Sequence, residues 1–318
     1  TASSSQVVYR YPAANTRVGY CNSPLVHSPR DPIISPDQCQ ENFRATSSAP
    51  TWLISLEYKP SRDTMLYGKY ARGYRQGSTN PSAAAGYNMF GPEKVDTYEV
   101  GAKQTFTGAV KGYLNVAAFY NDFSDQQLSV SLSCSTSCVA PNTGIVNVGK
   151  SRIYGAEVEM RLVPFERFSI DGSYAYLNSR LQSLAPVAIV PGSPYNVVEY
   201  SAGVGSDLPL TPNHKGTVTA TYTLPLDASM GEVSLAATYT YTDRIRISGA
   251  SARGILPDYS LLNLNVEWKD IGGSLVDISA FATNVTKKKY YSSVHDIPSG
   301  GFTSYFLGEP RMYGLRLR

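Results

Sequence analysis

Strict alternation of polar and apolar residues predicts a β-strand at residues 215–224. Threonine occupies every second position from Thr217 to Thr223, and the residues that follow these threonines are valine, alanine, tyrosine and leucine in turn. A period of two belongs to a strand with one polar and one apolar face. After a short turn, residues 232–242 repeat the pattern. The two segments are therefore predicted to form a hairpin.

The same alternation recurs along most of the chain. It predicts about eleven strands, each near the ten residues that a tilted membrane strand needs. The other nine strands are predicted at residues 51–59, 64–75, 95–106, 111–121, 146–162, 168–179, 258–268, 274–283 and 309–318. No apolar run reaches the roughly 18 residues of a membrane-spanning helix, which excludes a helical membrane protein.

The predicted connections alternate between short and long. Tight turns fall at residues 60–63, 107–110, 164–167, 226–231 and 270–273, and long loops fall at residues 76–94, 122–145, 180–213, 244–257 and 284–308. This asymmetry is typical of an outer-membrane β-barrel whose short turns face the periplasm, and it places the end of the last strand, Arg318, on that side. A soluble β-sandwich or β-helix would also alternate, but would not explain the asymmetry.

Composition supports a membrane barrel. Only 17% of the 318 residues are charged, below the roughly 25% of soluble domains. Tyrosine is abundant instead, with 24 copies. The net charge of +3 comes without a Lys/Arg stripe, so no nucleic-acid partner is expected. Several aromatic residues fit the girdles found at membrane interfaces: Trp52, Tyr58, Tyr222, Tyr239, Tyr241 and Trp268. In a soluble protein they would be ordinary sheet residues.

About eleven strands do not complete a barrel. Bacterial single-chain barrels have even strand numbers, and an open edge in lipid leaves backbone groups unpaired at several kcal/mol each. We expect residues 51–318 to form part of a barrel wall that another segment or chain completes. Residues 3–11 are expected to end one further strand, followed by a long extracellular loop to residue 50. The start at Thr1, without Met or signal peptide, indicates a processed or excised piece.

Four cysteines form two locally spaced pairs in loop-like segments, Cys21 with Cys39 and Cys134 with Cys138. Two loop disulfides are the favoured interpretation, and they indicate an oxidising compartment. A zinc site is the alternative, but the pairs lie far apart and no histidine is near the second pair.

Five motifs, in order along the chain, resemble the barrel of TonB-dependent receptors. They are Pro-Glu at 92–93 with Tyr-Glu-Val-Gly-Ala-Lys at 98–103, Tyr-Gly-Ala-Glu-Val-Glu at 154–159, Leu-Pro-Leu-Thr-Pro-Asn-His at 208–214, Asn-Val-Thr-Lys-Lys-Lys-Tyr-Tyr at 284–291, and Gly-Glu-Pro-Arg-Met-Tyr-Gly at 308–314. Each motif alone is weak evidence, whereas their shared order and spacing are specific. The resemblance covers residues from about 50 to 318.

The resemblance implies an all-β transmembrane barrel of about 22 strands, of which this chain would be the C-terminal half. It also implies an N-terminal plug domain, absent from this chain, through which the TonB-ExbB-ExbD complex drives uptake of a scarce ligand such as a ferric siderophore. Expected partners are outer-membrane lipid of a Gram-negative bacterium and a small-molecule iron chelate; no cofactor is expected. The chain departs from the family pattern in lacking the plug, the TonB box and a terminal aromatic residue after Arg318.

The candidate chemistry favours a carrier over an enzyme. His27, His214 and His295 are scattered and show no metal-ligand spacing. Glu157 and Glu159 share one strand face, as a catalytic pair would, but are expected to face the polar lumen and the plug. Candidate ligand contacts, taken by position in the predicted outer loops, are Tyr87, Phe90, Tyr195, Tyr200, Arg244 and Arg246.

Three other functions stay open at this point. A plugless diffusion porin would have the same strand pattern with about 16 to 18 strands. A structural or adhesive surface barrel would use its loops for partners. An outer-membrane enzyme would need a nucleophile set that the sequence does not display.

Overall fold

The computed structural model describes residues 2–5, 7–10, 18–21, 40–81, 83–84, 86–134, 142–189, 195–200, 203–247, 252–297 and 302–318. Eleven strands form one antiparallel sheet in chain order, which confirms the predicted meander. They are β1 (Trp52–Tyr58), β2 (Thr64–Arg75), β3 (Glu93–Thr107), β4 (Lys111–Ser133), β5 (Asn142–Phe165), β6 (Phe168–Leu184), β7 (His214–Thr223), β8 (Glu232–Thr242), β9 (Tyr259–Lys269), β10 (Ile278–Thr283) and β11 (Met312–Leu317).

Helical structure in these ranges is confined to three single turns of 3₁₀ helix, at Ala228–Met230, Ala252–Gly254 and Ile271–Gly273. No helix of the described chain has the length and apolar character needed to cross a membrane. The first of these turns is capped by Asp227, whose carboxylate accepts hydrogen bonds from the backbone N–H and hydroxyl of Ser229 at 2.9 and 2.6 Å. These two bonds lower the pKa of Asp227.

The strand register separates an apolar face from a polar face. Val116 lies between Ala102 and Val158, whereas its neighbour Asn115 lies between Lys103 and Glu159. Large apolar side chains on the apolar face are exposed, and Val100, for example, is 63% exposed. A sheet with one polar face and one exposed apolar face suits a barrel wall between an aqueous lumen and lipid.

Connections at one end of the sheet are tight, and those at the other end are long. The tight end, here called the inner end, joins β1 to β2, β3 to β4, β5 to β6, β7 to β8 and β9 to β10. The other end, here called the outer end, carries small hairpins of its own, Ser78–Thr79 with Met89–Phe90, Ile245–Arg246 with Ile255–Leu256, and Tyr291–Ile297 with Phe302–Leu307. The predicted loop asymmetry is confirmed.

One predicted loop is wrong in extent. Residues 122–145 were expected to form a loop, but β4 continues to Ser133 and β5 begins at Asn142. The pairing passes an irregularity between Phe123 and Gln126 and then resumes. It continues because Leu128, Val130 and Leu132 alternate inward and become buried above the sheet. A short strand, Val197–Tyr200, adds to the outer end of β4, and β6 likewise runs on to Leu184.

The sheet does not close on itself. In the described ranges β1 pairs only with β2 and β11 pairs only with β10. Within the first 50 residues, Ala2–Ser5 pairs with Gln40–Phe43 and Val7–Arg10 pairs with Val18–Cys21, as two separate two-stranded sheets. The described part of the expected extra strand is therefore paired locally and does not lie on the edge of the main sheet.

Cysteine chemistry is visible at one position. Cys134, directly after β4, is disulfide-bonded. Its expected partner Cys138, and Cys39 of the other pair, lie outside the described residues. The pairing within each local pair stays a prediction.

Candidate functional site

The polar face of β2 to β7 lines a concave groove of about 470 Å³. Alternation along these strands places their odd-numbered side chains in it. The charged and hydroxyl-bearing members of the lining include Tyr67, Glu99, Lys103, Glu157, Glu159 and Lys215. In a closed barrel this groove would be part of the lumen wall.

Glu99 lies at the centre of a polar cluster in this groove. Its carboxylate accepts a hydrogen bond from the Tyr67 hydroxyl at 2.8 Å and forms an ion pair with Lys69 at 2.7 Å. The Tyr67 ring covers Gly101 on the next strand, and a Cβ at that residue would overlap the ring. Glycine at residue 101 thus allows the tyrosine to reach the carboxylate.

Two further carboxylates stand beside this cluster on β5. Glu159 accepts hydrogen bonds from the Tyr113 hydroxyl at 3.2 Å and the Asn115 amide at 3.3 Å. Glu157 has neither a hydrogen bond nor an ion pair with any described side chain. It is a carboxylate that can receive a cation from another segment.

Above the sheet, aromatic side chains of the outer loops form a small apolar core. Tyr87 and Tyr195, at 3% and 6% exposure, pack with Val130 and Leu132 of the β4 extension. Tyr200 packs against the same cluster. Its hydroxyl accepts a hydrogen bond from the backbone N–H of Val187 at 3.0 Å. This cluster, here called the outer core, fixes the extension of β4 and β5 in place.

A polar joint connects the outer core to the sheet. The carboxylate of Glu93, 8% exposed, forms an ion pair with Arg75 at 2.7 Å and accepts the backbone N–H of Gln127 at 2.8 Å. Beside it, the side chain of Asn147 is hydrogen-bonded to the backbone of Gly91. The joint forms where the pairing of β4 with β5 is irregular.

A group of arginines surrounds Asp207 at the outer end of β6 to β8. Arg180 forms an ion pair with Asp207. Arg244 and Arg246 line a small cavity with Asp207 and Thr211. The Nε atom of Arg246 is buried and has no hydrogen-bond partner in the described structure. Three cations around one carboxylate leave positive charge available for an anionic group.

A family model for the TonB-dependent receptor-like β-barrel matches residues 27–285, which is most of the chain. This chain belongs to the TonB-dependent receptor-like β-barrel family. Barrels of this family are proteins of the Gram-negative outer membrane.

Individual relatives of this TonB-dependent receptor barrel show the same fold at low identity. PiuA of Acinetobacter baumannii, a probable TonB-dependent siderophore receptor, is 22% identical over 284 residues, which cover 81% of this chain and 34% of PiuA. The crystal structure of PiuA matches with a TM-score of 0.60 at 20% identity, over 87% of this chain and 38% of PiuA.

Two further structures match at lower identity. The ferric yersiniabactin uptake receptor FyuA from Yersinia pestis matches with a TM-score of 0.64 at 19% identity, over 83% of this chain and 36% of FyuA. The copper transporter OprC matches with a TM-score of 0.59 at 15% identity, over 83% of this chain and 38% of OprC. This chain thus spans little more than a third of the length of these proteins.

The motifs of the TonB-dependent receptor barrel lie at structural joints. Asn284, 3% exposed and with φ of 48°, donates from its side chain to the carbonyl oxygens of Lys288 and Glu309. It thereby joins the two ends of the loop between β10 and β11. In the motif at 208–214, Leu208 donates its backbone N–H to Ser179 at 3.0 Å, and His214 shares a 2.7 Å hydrogen bond with Tyr174.

The six candidate ligand contacts fall into separate places. Tyr87, Tyr195 and Tyr200 meet in the outer core, while Phe90 lies in a short hairpin near the polar joint. Arg244 and Arg246 meet in the arginine group. The structure gives the first three a packing role, and ligand contact by any of the six stays a prediction. Sequence reasoning missed Arg180 and Asp207, whose only signal was their charge in a predicted loop.

Proposed function

We propose that this chain is the C-terminal half of the barrel of a TonB-dependent outer-membrane transporter that takes up a ferric siderophore. The observation that carries the proposal is the open eleven-strand wall with a charged groove on its polar face. A wall of this size, with one face suited to lipid and a charged groove on the other, supports a part in transport across the outer membrane.

The rest of the proposed transporter follows from the open edges. Each edge strand in lipid would leave a row of unpaired amides and carbonyls, so about eleven more strands are needed to complete a barrel of the plugged type. The carboxylate of Glu157, without a described partner, and its neighbours Glu159 and Glu99 suit basic side chains of a plug domain. Removal or rearrangement of such a plug by TonB would open the lumen.

The proposed ligand site combines Arg244 and Arg246 of the arginine group with the outer loops above the groove. Ferric siderophores present carboxylate, catecholate or hydroxamate oxygens around the iron, and guanidinium groups bind such oxygens well. Arg246 contributes a buried Nε without a partner, and Arg244 is exposed beside it. PiuA is named as a siderophore receptor and FyuA as a ferric yersiniabactin uptake receptor, and both names support an iron chelate as the ligand.

Uptake by the natural full-length protein tests the proposal. A strain whose own siderophore receptors are deleted would express the protein and receive radioactive iron as single ferric chelates. We expect saturable uptake of at least one chelate that stops when a protonophore dissipates the membrane energy. Uptake that persists without energy and rises linearly with concentration would identify a passive porin. Saturable uptake of copper, with no uptake of iron, would contradict the proposal that the ligand is a ferric siderophore.

Arg246→Gln tests the ligand site in the same assay. It is expected to weaken chelate binding about tenfold, since one charge-assisted hydrogen bond contributes about 1.5–3 kcal/mol. Arg62→Gln, at an exposed inner turn of the same wall, is the matched control and should leave uptake unchanged. Equal uptake by both variants would place the ligand elsewhere in the protein.

A further inference from the structure

The apolar face of the wall ends in an ordered row of aromatic residues near its outer end. Tyr70, Tyr98, Tyr120 and Tyr154 lie directly opposite one another on four successive strands. The rings of Tyr70 and Tyr98 are stacked with centroids 5.0 Å apart. Tyrosine in such a row marks the level at which hydrocarbon gives way to lipid headgroups.

A charged row follows two residues further out on the same face. Arg72, Asp96, Asp122, Arg152 and Arg180 are again partners in register from β2 to β6. Arg72 is neutralised by Asp96, to which it donates two hydrogen bonds of 2.7 Å. Arg180 forms its ion pair with Asp207.

The centre of this row is less well neutralised. Arg152 is 3.9 Å from Asp122, and both side chains are about half exposed. Two exposed lysines lie two residues beyond this row, Lys94 on β3 and Lys150 on β5. Because side chains alternate along a strand, both lie on the same face as Arg152. Neither lysine has an ion-pair partner in the described structure.

The geometry points to a binding site for a phosphorylated lipid of the outer leaflet, held by Lys94, Lys150 and Arg152 just above the tyrosine row. Lys94 on β3 is two strands away from Lys150 and Arg152 on β5, a distance of roughly 10 Å between the strand axes. A sugar headgroup with a phosphate at either end can span this distance, and its acyl chains would then lie against the apolar face below. Guanidinium and ammonium groups are the usual protein ligands of phosphate. The inference rests on the proposed outer-membrane location.

Lipid binding to the purified full-length protein tests this site without any transport step. Diphosphorylated lipid A would be titrated into the protein in detergent, and bound lipid would be counted by native mass spectrometry. The test variant is Lys94→Gln with Lys150→Gln and Arg152→Gln. The matched control, Lys59→Gln with Arg62→Gln and Lys111→Gln, removes three exposed cations from the inner end.

We expect the test variant to bind lipid A at least about tenfold more weakly and the control to bind like the natural protein. Natural protein should also bind dephosphorylated lipid A weakly. The charge-conserving variant Lys94→Arg with Lys150→Arg and Arg152→Lys should retain binding, which separates charge from misfolding. The site is rejected if the test variant binds normally, if the control loses as much, or if dephosphorylated lipid binds equally well. Because no uptake is measured, loss of this site leaves the transport proposal intact, and failed uptake leaves the site intact.

Discussion

The side chain of Asn147 pairs with the backbone of Gly91 in the way that a neighbouring strand would. Its Oδ1 accepts the N–H of Gly91 at 2.6 Å, and its Nδ2 donates to the carbonyl oxygen of Gly91 at 3.0 Å. The same Nδ2 also donates to Asp125 at 2.8 Å. One side chain thus connects the segment leading into β3, the irregular part of β4, and β5.

Asn147→Ala should loosen the outer extension while leaving the sheet folded. Loss of these hydrogen bonds, with backbone groups left unpaired, is expected to lower the local free energy of opening by about 2 kcal/mol. Hydrogen exchange at residues 126–133 measures this opening. Asn142→Ala is the control, because among the described residues the Asn142 side chain is hydrogen-bonded only to the adjacent N–H of Thr143. Equal exchange in both variants would contradict the role given to Asn147.

Gly101→Ala should displace Tyr67 from Glu99, because the new methyl group would overlap the tyrosine ring. We expect a loss of about 1–3 kcal/mol in the free energy of unfolding, measured by urea titration in detergent. Gly108→Ala, in an inner turn with no atom near its Cβ position, should cost much less. In a Tyr67→Ala background the cost of Gly101→Ala should largely disappear. A cost that persists there would assign the effect to the backbone.

Asn284 separates a backbone effect from a hydrogen-bond effect. Asn284→Gly loses the bonds to Lys288 and Glu309 but tolerates φ of 48°, whereas Asn284→Ala loses the bonds and is also strained. Alanine is therefore expected to be about 1 kcal/mol less stable than glycine at this residue. Thermal unfolding of the two variants in the same detergent gives the comparison. Equal stability of the two variants would mean that the backbone at residue 284 leaves the left-handed conformation when asparagine is replaced.

The cysteine pairs have a direct chemical test. Peptide mapping without reduction should recover Cys134 linked to Cys138 and Cys21 linked to Cys39. Each bridge should add about 2 Da to the intact mass on reduction, because reduction adds two hydrogens. Links between the pairs, or free thiols that alkylate without reduction, would refute the assignment.

The alternation of polar and apolar side chains is sufficient to predict the membrane-spanning strands of the wall. It does not predict the extension of β4 and the outer core beyond them. Residues 64–75 and 232–242 have the same bounds in the sequence pattern and in the structure, since membrane strands have a regular length and period. The extension of β4 is not predicted, because a tilted strand needs only about ten residues to cross the membrane. Leu128, Val130 and Leu132 keep alternating beyond that length.

Contacts between distant loops were beyond the reach of the sequence. Asn147 and Gly91 are 56 residues apart, and they meet beside the irregular pairing near Asp125. The sequence predicts Tyr87 and Tyr195 as ligand contacts in the outer loops, and it does not predict their packing against Val130 and Leu132. A sequence shows that a loop carries an aromatic ring, whereas the packing partner depends on the whole arrangement of loops.

The anchored extension of β4 and β5 affects the entropy that ligand binding at the outer end would cost. A loop that becomes ordered only when it meets its ligand subtracts its lost conformational entropy from the affinity. Here the stems of the hairpin are already fixed by the outer core and by the polar joint at Glu93 and Asn147. Calorimetry of ligand binding to the full-length protein should accordingly give a smaller unfavourable entropy and a smaller heat-capacity change than binding coupled to the folding of these stems would give.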